Sequence, residues 1–335
     1  MILTALIFIL APRLVQVDFA YTSSSAHKVQ LAGDFNAWSG GIDMDHVGDR
    51  WVKRYSLPSD GRIEYKFVVD NQWILDPKSD KKFSNGLGGE NSVWEGPAYR
   101  SSVRDQTPRD PMLRSVLVVG GRKIVVYAPK NPAGLPVLLY GDGDTYEYAG
   151  KVQNVLQNLV EANKVRPAIV VLIPPINRMK EYGDDWKAYG DYVFEHVLPV
   201  VRSAKGASER AEDVFMGGSS MGGLIALRLA EEFPSQLAGG IECQSAALQW
   251  SALKFKFSDV GEQGHLKRIA ASTKIWLDWG LFEEKLTEAN LALKQTLENT
   301  RRPFGYKTTP EGHTWTAWRN RMADGLVYLL GSSSH

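Results

Sequence analysis

A serine between glycines occupies residues 218–222 (GSSMG), which fit the pattern G-x-S-x-G. An apolar run over residues 214–216 precedes it, and an apolar helical pattern follows. The backbone of such a strand-to-helix turn is strained, so we expect Cβ atoms at both flanking glycine positions to clash. The turn exposes the serine hydroxyl beside a helix N-terminus, which favours developing negative charge. Ser220 is therefore the candidate nucleophile.

A serine hydroxyl becomes nucleophilic only when a neighbouring base takes its proton. With this motif the chain order is serine, acid, histidine, so the base should follow Ser220. His313 lies in a short loop between the last predicted strand and the last predicted helix, from which an imidazole reaches the sheet edge. His265 fits a surface helix cap, and His335 is the final residue. We expect His313 to be the base.

The third group is a carboxylate that holds the imidazole in the correct tautomer. It should follow the strand predicted over residues 274–277. Glu283, three residues after Gly280, is favoured, and Asp278 and Glu284 are the alternatives. For each of the three, the alternative is a solvated loop charge without a catalytic role.

Two backbone N–H groups should point at the oxyanion that forms during attack. Met221, directly after the nucleophile, supplies one. The loop after the strand predicted over residues 136–140 supplies the other, from Gly143 or Asp144. The acidic residues of this loop could instead bind a cation, but no EF-hand spacing follows, and we expect neither a metal nor a cofactor.

Strands and helices must alternate to bring these groups to one edge, and the second part of the chain has this pattern. Predicted strands cover residues 113–119, 123–128, 136–140, 168–173, 213–216, 237–243, 275–277 and 304–308. Predicted helices cover residues 152–162, 192–201, 223–232, 287–300 and 315–330. Such alternation is typical of an α/β fold with a mainly parallel sheet covered on both faces.

The first part of the chain contains only short β-rich runs, separated by turns rich in Gly, Asn and Asp. These runs cover residues 14–21, 27–32, 51–57, 63–69 and 91–94. Short strands at this spacing predict a small β-sandwich. We therefore predict a β-sandwich domain over residues 14–97, a linker over 98–111 and an α/β catalytic domain over 112–335.

The composition excludes several classes of protein. Among 335 residues, 39 Lys and Arg nearly balance 38 Asp and Glu, so the net charge of +1 gives no footprint for nucleic acid. The single cysteine, Cys243, permits neither an internal disulfide nor a cysteine-type zinc site. The apolar run over residues 1–10 is shorter than the roughly 20 residues that span a bilayer. It is similar to the core of a signal peptide but no basic residue precedes it, so export and a cytoplasmic location are both open.

Several segments together resemble the esterase family of α/β-hydrolases that includes enterochelin esterases, esterase D and feruloyl or acetylxylan esterases. They are residues 140–144 (YGDGD), 178–182 (RMKEY), 217–223 (GGSSMGG), 280–283 (GLFE) and 312–319 (GHTWTAWR). The resemblance implies an α/β-hydrolase fold with Ser220 as nucleophile, His313 as base and Glu283 as acid. It implies that Arg178 lines the substrate cleft, with an ion pair to Glu181 as the alternative. The chain departs from the family at residues 244–246 (QSA), where relatives often have Ser-Gly, which affects the shape of the pocket.

The first domain resembles the glycogen-binding module of the AMP-activated kinase β subunit and of starch-branching enzymes. The matching segments are residues 29–38 (VQLAGDFNAW), 64–73 (EYKFVVDNQW), 76–77 (DP) and 87–93 (LGGENSV). The resemblance implies an immunoglobulin-like β-sandwich whose glucan contacts would be Trp38, Lys66, Trp73, Leu87 and Asn91. Indole rings stack on the C–H faces of sugars, while Lys and Asn hydrogen-bond to hydroxyls. Alternatively, the two tryptophans belong to the core or to a domain interface.

These observations predict a serine carboxylesterase that works through an acyl-enzyme. Because a module of sugar-binding type is fused to it, we expect an acyl or feruloyl ester on a polysaccharide as substrate. A siderophore ester of the enterobactin type is the alternative substrate, and a non-catalytic glycan-binding protein is the alternative of another class. The expected partners are a small-molecule or oligosaccharide ester and a polysaccharide at the N-terminal domain, with neither nucleic acid nor a membrane span.

Overall fold

The computed structural model describes residues 13–85, 88–101, 105–248 and 266–331, apart from the side chains of residues 284 and 285. The chain divides into two compact units. The first comprises Met1–Ser101 together with Pro310–Gly312, and the second comprises Ser102–Thr309 and His313–His335.

The first unit is built from antiparallel strands, as its short β-rich runs predict. The strands are β1 Leu14–Thr22, β2 Val29–Gly33, β3 Ile42–Asp43, β4 Asp45–Val47, β5 Arg50–Pro58, β6 Arg62–Val69, β7 Gln72–Ile74, β8 Lys82–Ser84 and β9 Glu90–Glu95. One sheet has the order β1-β5-β4, and the other has the order β3-β2-β6-β9-β8, with β7 paired to β6.

An aromatic core joins the two sheets of the first unit. The ring of Phe19 on β1 meets the ring of Tyr65 on β6 edge-on, with centroids 4.8 Å apart. Leu31, Ile63 and Phe67 are fully buried beside them. Two antiparallel sheets packed face to face in this way form the predicted β-sandwich.

The second unit contains an eight-stranded sheet. Its strands are β10 Leu113–Val119, β11 Arg122–Ala128, β12 Val137–Gly141, β13 Ile169–Ile173, β14 Val214–Ser219, β15 Gly240–Gln244, β16 Lys274–Gly280 and β17 Phe304–Thr309. The spatial order is β10-β11-β13-β12-β14-β15-β16-β17. From β13 to β17 all neighbours are parallel, while β10 and β11 are antiparallel additions at one edge. The chain leaves β12 in one direction and returns on its other side as β14, so the carboxyl ends of these strands form a topological switch point, where α/β proteins bind ligands.

Helices cover both faces of this sheet. They are α1 Gly143–Thr145, α2 Val152–Glu161, α3 Arg178–Tyr182, α4 Trp186–Asp191, α5 Leu198–Lys205, α6 Met221–Glu232, α7 Glu284–Asn299 and α8 Trp315–Leu330. The central strands β12, β13, β14 and β15 are buried at every position. One apolar core lies between the sheet and α5, α6 and α7, and a second lies between the opposite face and α2 and α8. This arrangement confirms the predicted α/β class.

The differences from the predicted elements are local. The three-residue strands β4, β7 and β8, the two-residue strand β3 and the short helices α3 and α4 were absent from the prediction. The helix predicted over residues 192–201 begins as a π-helical turn, Tyr192–Val197, and continues as α5. Elements of two to six residues have too few positions for hydrophobic periodicity to show.

Candidate active site

Ser220 lies at the sharp turn between β14 and α6. Its backbone has φ 57° and ψ −119°, a conformation that residues with a Cβ rarely adopt. Its N–H donates to the carbonyl oxygen of Gln244 at 2.8 Å, and its own carbonyl accepts the N–H of Ala247 at 3.0 Å. These bonds to the neighbouring strand end hold the turn in its strained conformation.

The two glycines that flank the motif differ in the space around them. A Cβ on Gly218 would lie 2.2 Å from the carbonyl oxygen of Gly222, so a side chain at this position clashes with the backbone. A Cβ on Gly222 would meet only the Asp142 carboxylate at 3.4 Å, an ordinary contact. The expectation that both positions exclude a side chain is therefore correct for Gly218 and wrong for Gly222.

His313 lies two residues before the start of α8. Thr314 caps this helix, because its hydroxyl accepts the N–H of Ala317 at 3.3 Å, and the cap fixes the loop that carries the imidazole. His313 Nδ1 lies 3.3 Å from Glu283 Oε2, and its side chain is 34% exposed. The Trp318 ring also packs on the imidazole, with the two ring planes nearly perpendicular and their centroids 4.7 Å apart.

Glu283 lies between the end of β16 and the first residue of α7 and is only 4% exposed. Its Oε1 accepts hydrogen bonds from the Ser245 hydroxyl at 2.8 Å and from the N–H of Gly280 at 3.0 Å. Burial alone would raise the pKa of Glu283, but the hydrogen bond and charge of His313, together with Arg321 and Ser245, lower it below its ordinary value. A buried carboxylate that stays ionised beside an imidazole can stabilise the imidazolium.

Asp278 has a different partner. Its carboxylate is fully buried. It accepts hydrogen bonds from Arg321 Nε at 2.7 Å and from Trp276 Nε1 at 3.0 Å, and neither partner is a histidine. Burial raises the pKa of Asp278 to about 6 against the opposing effect of Arg321. Of the three carboxylates considered, the structure brings Glu283 to His313; the side chain of Glu284 lies outside the described residues.

The loop after β12 lies beside the turn at Ser220. Asp142 has φ 50°, and its carboxylate is the group that a Cβ on Gly222 would meet. A Cβ on Gly143 would lie 2.6 Å from the backbone nitrogen of Ile173, so only glycine fits where α1 begins. Asp144 is exposed in the same short helix. Because β12 and β14 are adjacent and parallel, this loop and Met221 lie at the same edge of the sheet.

Arg178 forms a bidentate ion pair with Asp142, at 2.8 and 2.9 Å. One of its nitrogens also lies 3.4 Å from the carbonyl oxygen of Ser219, next to Ser220. Glu181 pairs instead with Arg122 at 2.7 Å. The alternative of an Arg178–Glu181 ion pair is therefore wrong, and Arg178 connects the loop after β12 to the turn at Ser220.

The residues implied in glucan contact lie in the first unit. The indole rings of Trp38 and Trp73 are stacked, with centroids 6.3 Å apart and an angle of 25° between planes, and Trp73 is 49% exposed. Lys66 is partly exposed on β6 and points to the same sheet face as Val68, which pairs with Trp73. Asn91 is buried, and its side-chain nitrogen donates to Glu64 at 2.8 Å.

Some predictions fall on residues outside the described ranges. These are the apolar run over residues 1–10, Leu87, His265 and His335. Within the described ranges no helix is both long and apolar enough to cross a lipid bilayer.

Three residues at this site were not predicted from the sequence: Ser245, Arg321 and Asp142. All three are buried polar residues. Arg321 carried a signal, because it lies in a helix whose inward positions are mostly apolar, such as Ala317 and Met322. A charged residue on the buried face of a helix requires a buried counter-ion.

The sheet order, the strained serine at the switch point and the histidine before the last helix define the chain as an α/β-hydrolase. A sequence family described as "Putative esterase" matches residues 118–329, more than half of the chain, so the protein belongs to this esterase family and is an ester hydrolase. A family described as the glycogen recognition site of AMP-activated protein kinase matches residues 15–93.

Individual relatives agree with this assignment. The chain is 26% identical over 305 residues to the iron(III) enterobactin esterase of Escherichia coli K12, covering 82% of this chain and 72% of the relative. The crystal structure of ferric enterobactin esterase from Salmonella typhimurium superposes with a TM-score of 0.77 at 20% identity, covering 95% of this chain and 96% of that one. A ferulic acid esterase superposes with a TM-score of 0.55 at 17% identity, covering 65% of this chain and 97% of that one.

Proposed function

We propose that the protein is a serine esterase in which Ser220, His313 and Glu283 form the catalytic triad. The observation that carries the proposal is the buried, ionised Glu283 carboxylate 3.3 Å from Nδ1 of His313. This contact holds the Nδ1 proton and leaves Nε2 as the basic nitrogen. The strained backbone of Ser220 supports its role as the partner of that nitrogen.

The reaction then follows in two halves. His313 takes the Ser220 proton while Oγ attacks the ester carbonyl, and the N–H of Met221, with that of Gly143 or Asp144, stabilises the oxyanion. Collapse of the tetrahedral intermediate breaks the ester C–O bond, and His313 returns the proton to the leaving alcohol. Water then attacks the acyl-enzyme while His313 takes its proton. Collapse of the second tetrahedral intermediate breaks the acyl–Oγ bond, His313 returns the proton to Oγ, and the acid and free Ser220 are released.

The substrate we propose is an ester of the siderophore class, a catecholate trilactone. Likeness to enterobactin esterases extends through both units, since it covers 82% of the chain in sequence and 95% in structure. The ferulic acid esterase covers only 65% of the chain. Of the two substrate classes expected from the sequence, the siderophore ester therefore has the broader support.

A second candidate substrate, an acyl or feruloyl ester on a polysaccharide, is favoured by the first unit. Its stacked Trp38–Trp73 pair offers an aromatic surface of the kind that binds sugar rings. The match to the glycogen recognition site over residues 15–93 supports carbohydrate binding.

Two assays test this proposal. Ser220→Ala should lower p-nitrophenyl acetate hydrolysis by about 10⁴-fold or more, because the covalent route is lost; turnover near the wild-type rate would exclude Ser220 as nucleophile. Ferric enterobactin and a feruloylated xylan oligosaccharide should then be compared at equal concentration by chromatography of the products. We expect a higher kcat/KM for the siderophore, and the reverse order would assign the polysaccharide ester.

A further inference from the structure

Ser245 is a buried serine next to the proposed triad. It follows β15 directly, has φ 46° and is fully buried. Its N–H donates to the carbonyl oxygen of Asp278 at 2.6 Å, which ties it to the end of the adjacent strand. The position of its hydroxyl is therefore set by two neighbouring strand ends of the sheet.

Three side chains surround the Ser245 hydroxyl. Oγ lies 3.0 Å from Trp318 Nε1, 2.9 Å from Arg321 Nη2 and 2.8 Å from Glu283 Oε1. Indole and guanidinium nitrogens only donate hydrogen bonds, so they occupy the two lone pairs of Oγ. The single hydroxyl proton must then point to Glu283, and the direction of this hydrogen bond is determined.

The contacts close into a ring that includes the proposed base. With Oε1 of Glu283 engaged by Ser245 and Gly280, Oε2 faces His313. Trp318, which donates to Ser245, also packs its ring nearly perpendicular to the imidazole. Ser245 therefore connects Trp318, which packs on His313, to Glu283, which hydrogen-bonds to His313.

The charges around this ring complement the imidazolium that forms during acyl transfer. Asp278 and Glu283 are both buried, and Arg321 is the buried guanidinium that contacts the two, at 2.7 and 3.5 Å. With both carboxylates ionised and His313 neutral, these four side chains sum to one negative charge. Protonation of His313 during acyl transfer brings the sum to zero, so the cluster is matched to the charged form of the base.

We propose that Ser245 is a positioning residue of the esterase, whose hydroxyl, oriented by Trp318 and Arg321, fixes Glu283 so that Oε2 faces His313. It acts through Glu283 and does not touch the substrate. The proposal rests on the proposed function of Ser220, His313 and Glu283.

The first test is Ser245→Ala in the full chain, with p-nitrophenyl acetate as substrate. We expect kcat to fall about tenfold, the scale of one hydrogen bond to a charged group, while KM stays within about twofold because substrate contacts are unchanged. The acid limb of the pH profile should move to lower pH, because the imidazolium loses an aligned carboxylate. Ser92→Ala is the matched control: Ser92 is equally buried, its hydroxyl accepts one hydrogen bond from the N–H of Asp76 at 2.8 Å, and it lies in the first unit.

The second test asks whether Ser245 acts through Glu283. In a Glu283→Gln background, Ser245→Ala should cause no further loss of kcat. Trp318→Phe, which keeps the ring but removes the Nε1 donor, should lower kcat by about threefold, and it carries the test if Ser245→Ala does not fold.

Two results would overturn the positioning role. The first is that both Ser245→Ala and Trp318→Phe keep the wild-type kcat and pH profile. The second is that Ser245→Ala lowers kcat in the Glu283→Gln background by the same factor as in the wild type. Ser220→Ala separates this failure from that of the proposed function. A fully active Ser220→Ala removes the triad and the inference with it, whereas an inactive Ser220→Ala beside an unaffected Ser245→Ala removes the inference alone.

Discussion

Ser220 combines strain with a position at a helix N-terminus. A non-glycine residue in this region of φ and ψ costs about 1–3 kcal/mol and persists only where its surroundings determine it. Here β14 is buried at all six positions before the serine, and α6 is largely buried after it. The strain is therefore held by packing on both sides of the turn.

The choice between Glu283 and Asp278 depends on long-range contacts. Both carboxylates lie near the end of β16; the spacing after Gly280 and the family resemblance favour Glu283 but do not exclude Asp278. The structure pairs Asp278 with Arg321, 43 residues further along the chain, and Glu283 with His313, 30 residues further along. The favoured residue, Glu283, is the one that meets the histidine, but no periodicity or motif in the sequence encodes the Asp278–Arg321 pair.

A pH-dependent prediction concerns Asp34 in the first unit. This carboxylate is buried, and it accepts hydrogen bonds from the N–H of Glu64 at 2.7 Å and from Trp38 Nε1 at 3.0 Å. Burial and the charge of Glu64 raise the pKa of Asp34 from 3.8 to about 7. The folded state thus binds this proton more tightly than the unfolded state does, so the contribution of Asp34 to stability declines between pH 3.8 and about 7 and is constant above.

Asp34→Asn removes this ionisation. Between pH 5 and pH 8 the free energy of unfolding of the wild type should fall by about 2–3 kcal/mol relative to the variant. Urea unfolding of both proteins at the two pH values measures the difference. Parallel pH dependences would show that Asp34 is ionised throughout this range.

At the scale of elements, the turn between β14 and α6 makes unequal demands on its glycines. Gly218→Ala places a Cβ against the Gly222 carbonyl and should abolish activity and lower the melting temperature, because backbone atoms must move. Gly222→Ala meets only an ordinary contact and replaces glycine in a helix, where alanine is favoured by roughly 1 kcal/mol. The melting temperature should therefore fall for Gly218→Ala and rise for Gly222→Ala, relative to the wild type. Equal destabilisation of the two variants would contradict the geometry.

Long elements with a clear period were predictable from the sequence, while short ones were not. The helix predicted over residues 315–330 has the observed bounds, because Thr314 caps it and apolar residues recur along it. By contrast, α3 begins at a cap made by Asn177 and has five residues, too few for a helical period. The Asp142–Arg178 ion pair was missed for another reason: it joins residues 36 positions apart through the fold.

At the scale of the whole molecule, the proposed triad and the tryptophan pair lie in different units. Ser220, His313 and Glu283 all belong to the second unit, whereas Trp38 and Trp73 belong to the first. Substitutions in the tryptophan pair should therefore separate carbohydrate binding from ester hydrolysis.

Trp73→Ala tests this separation. We expect the affinity for glycogen to fall about tenfold, since a stacked aromatic surface is lost, while p-nitrophenyl acetate turnover is unchanged. Affinity electrophoresis of both proteins in glycogen gels gives the comparison. Equal migration of the wild type and the variant would assign the tryptophan pair a structural role only.

Covalent labelling with a fluorophosphonate probes the activated alcohol itself. Intact mass and peptide mapping should show one adduct, on Ser220, that is absent in Ser220→Ala and forms far more slowly in His313→Ala. An unlabelled wild-type chain that still hydrolyses p-nitrophenyl acetate, or an adduct on another residue, would contradict the assignment of the nucleophile.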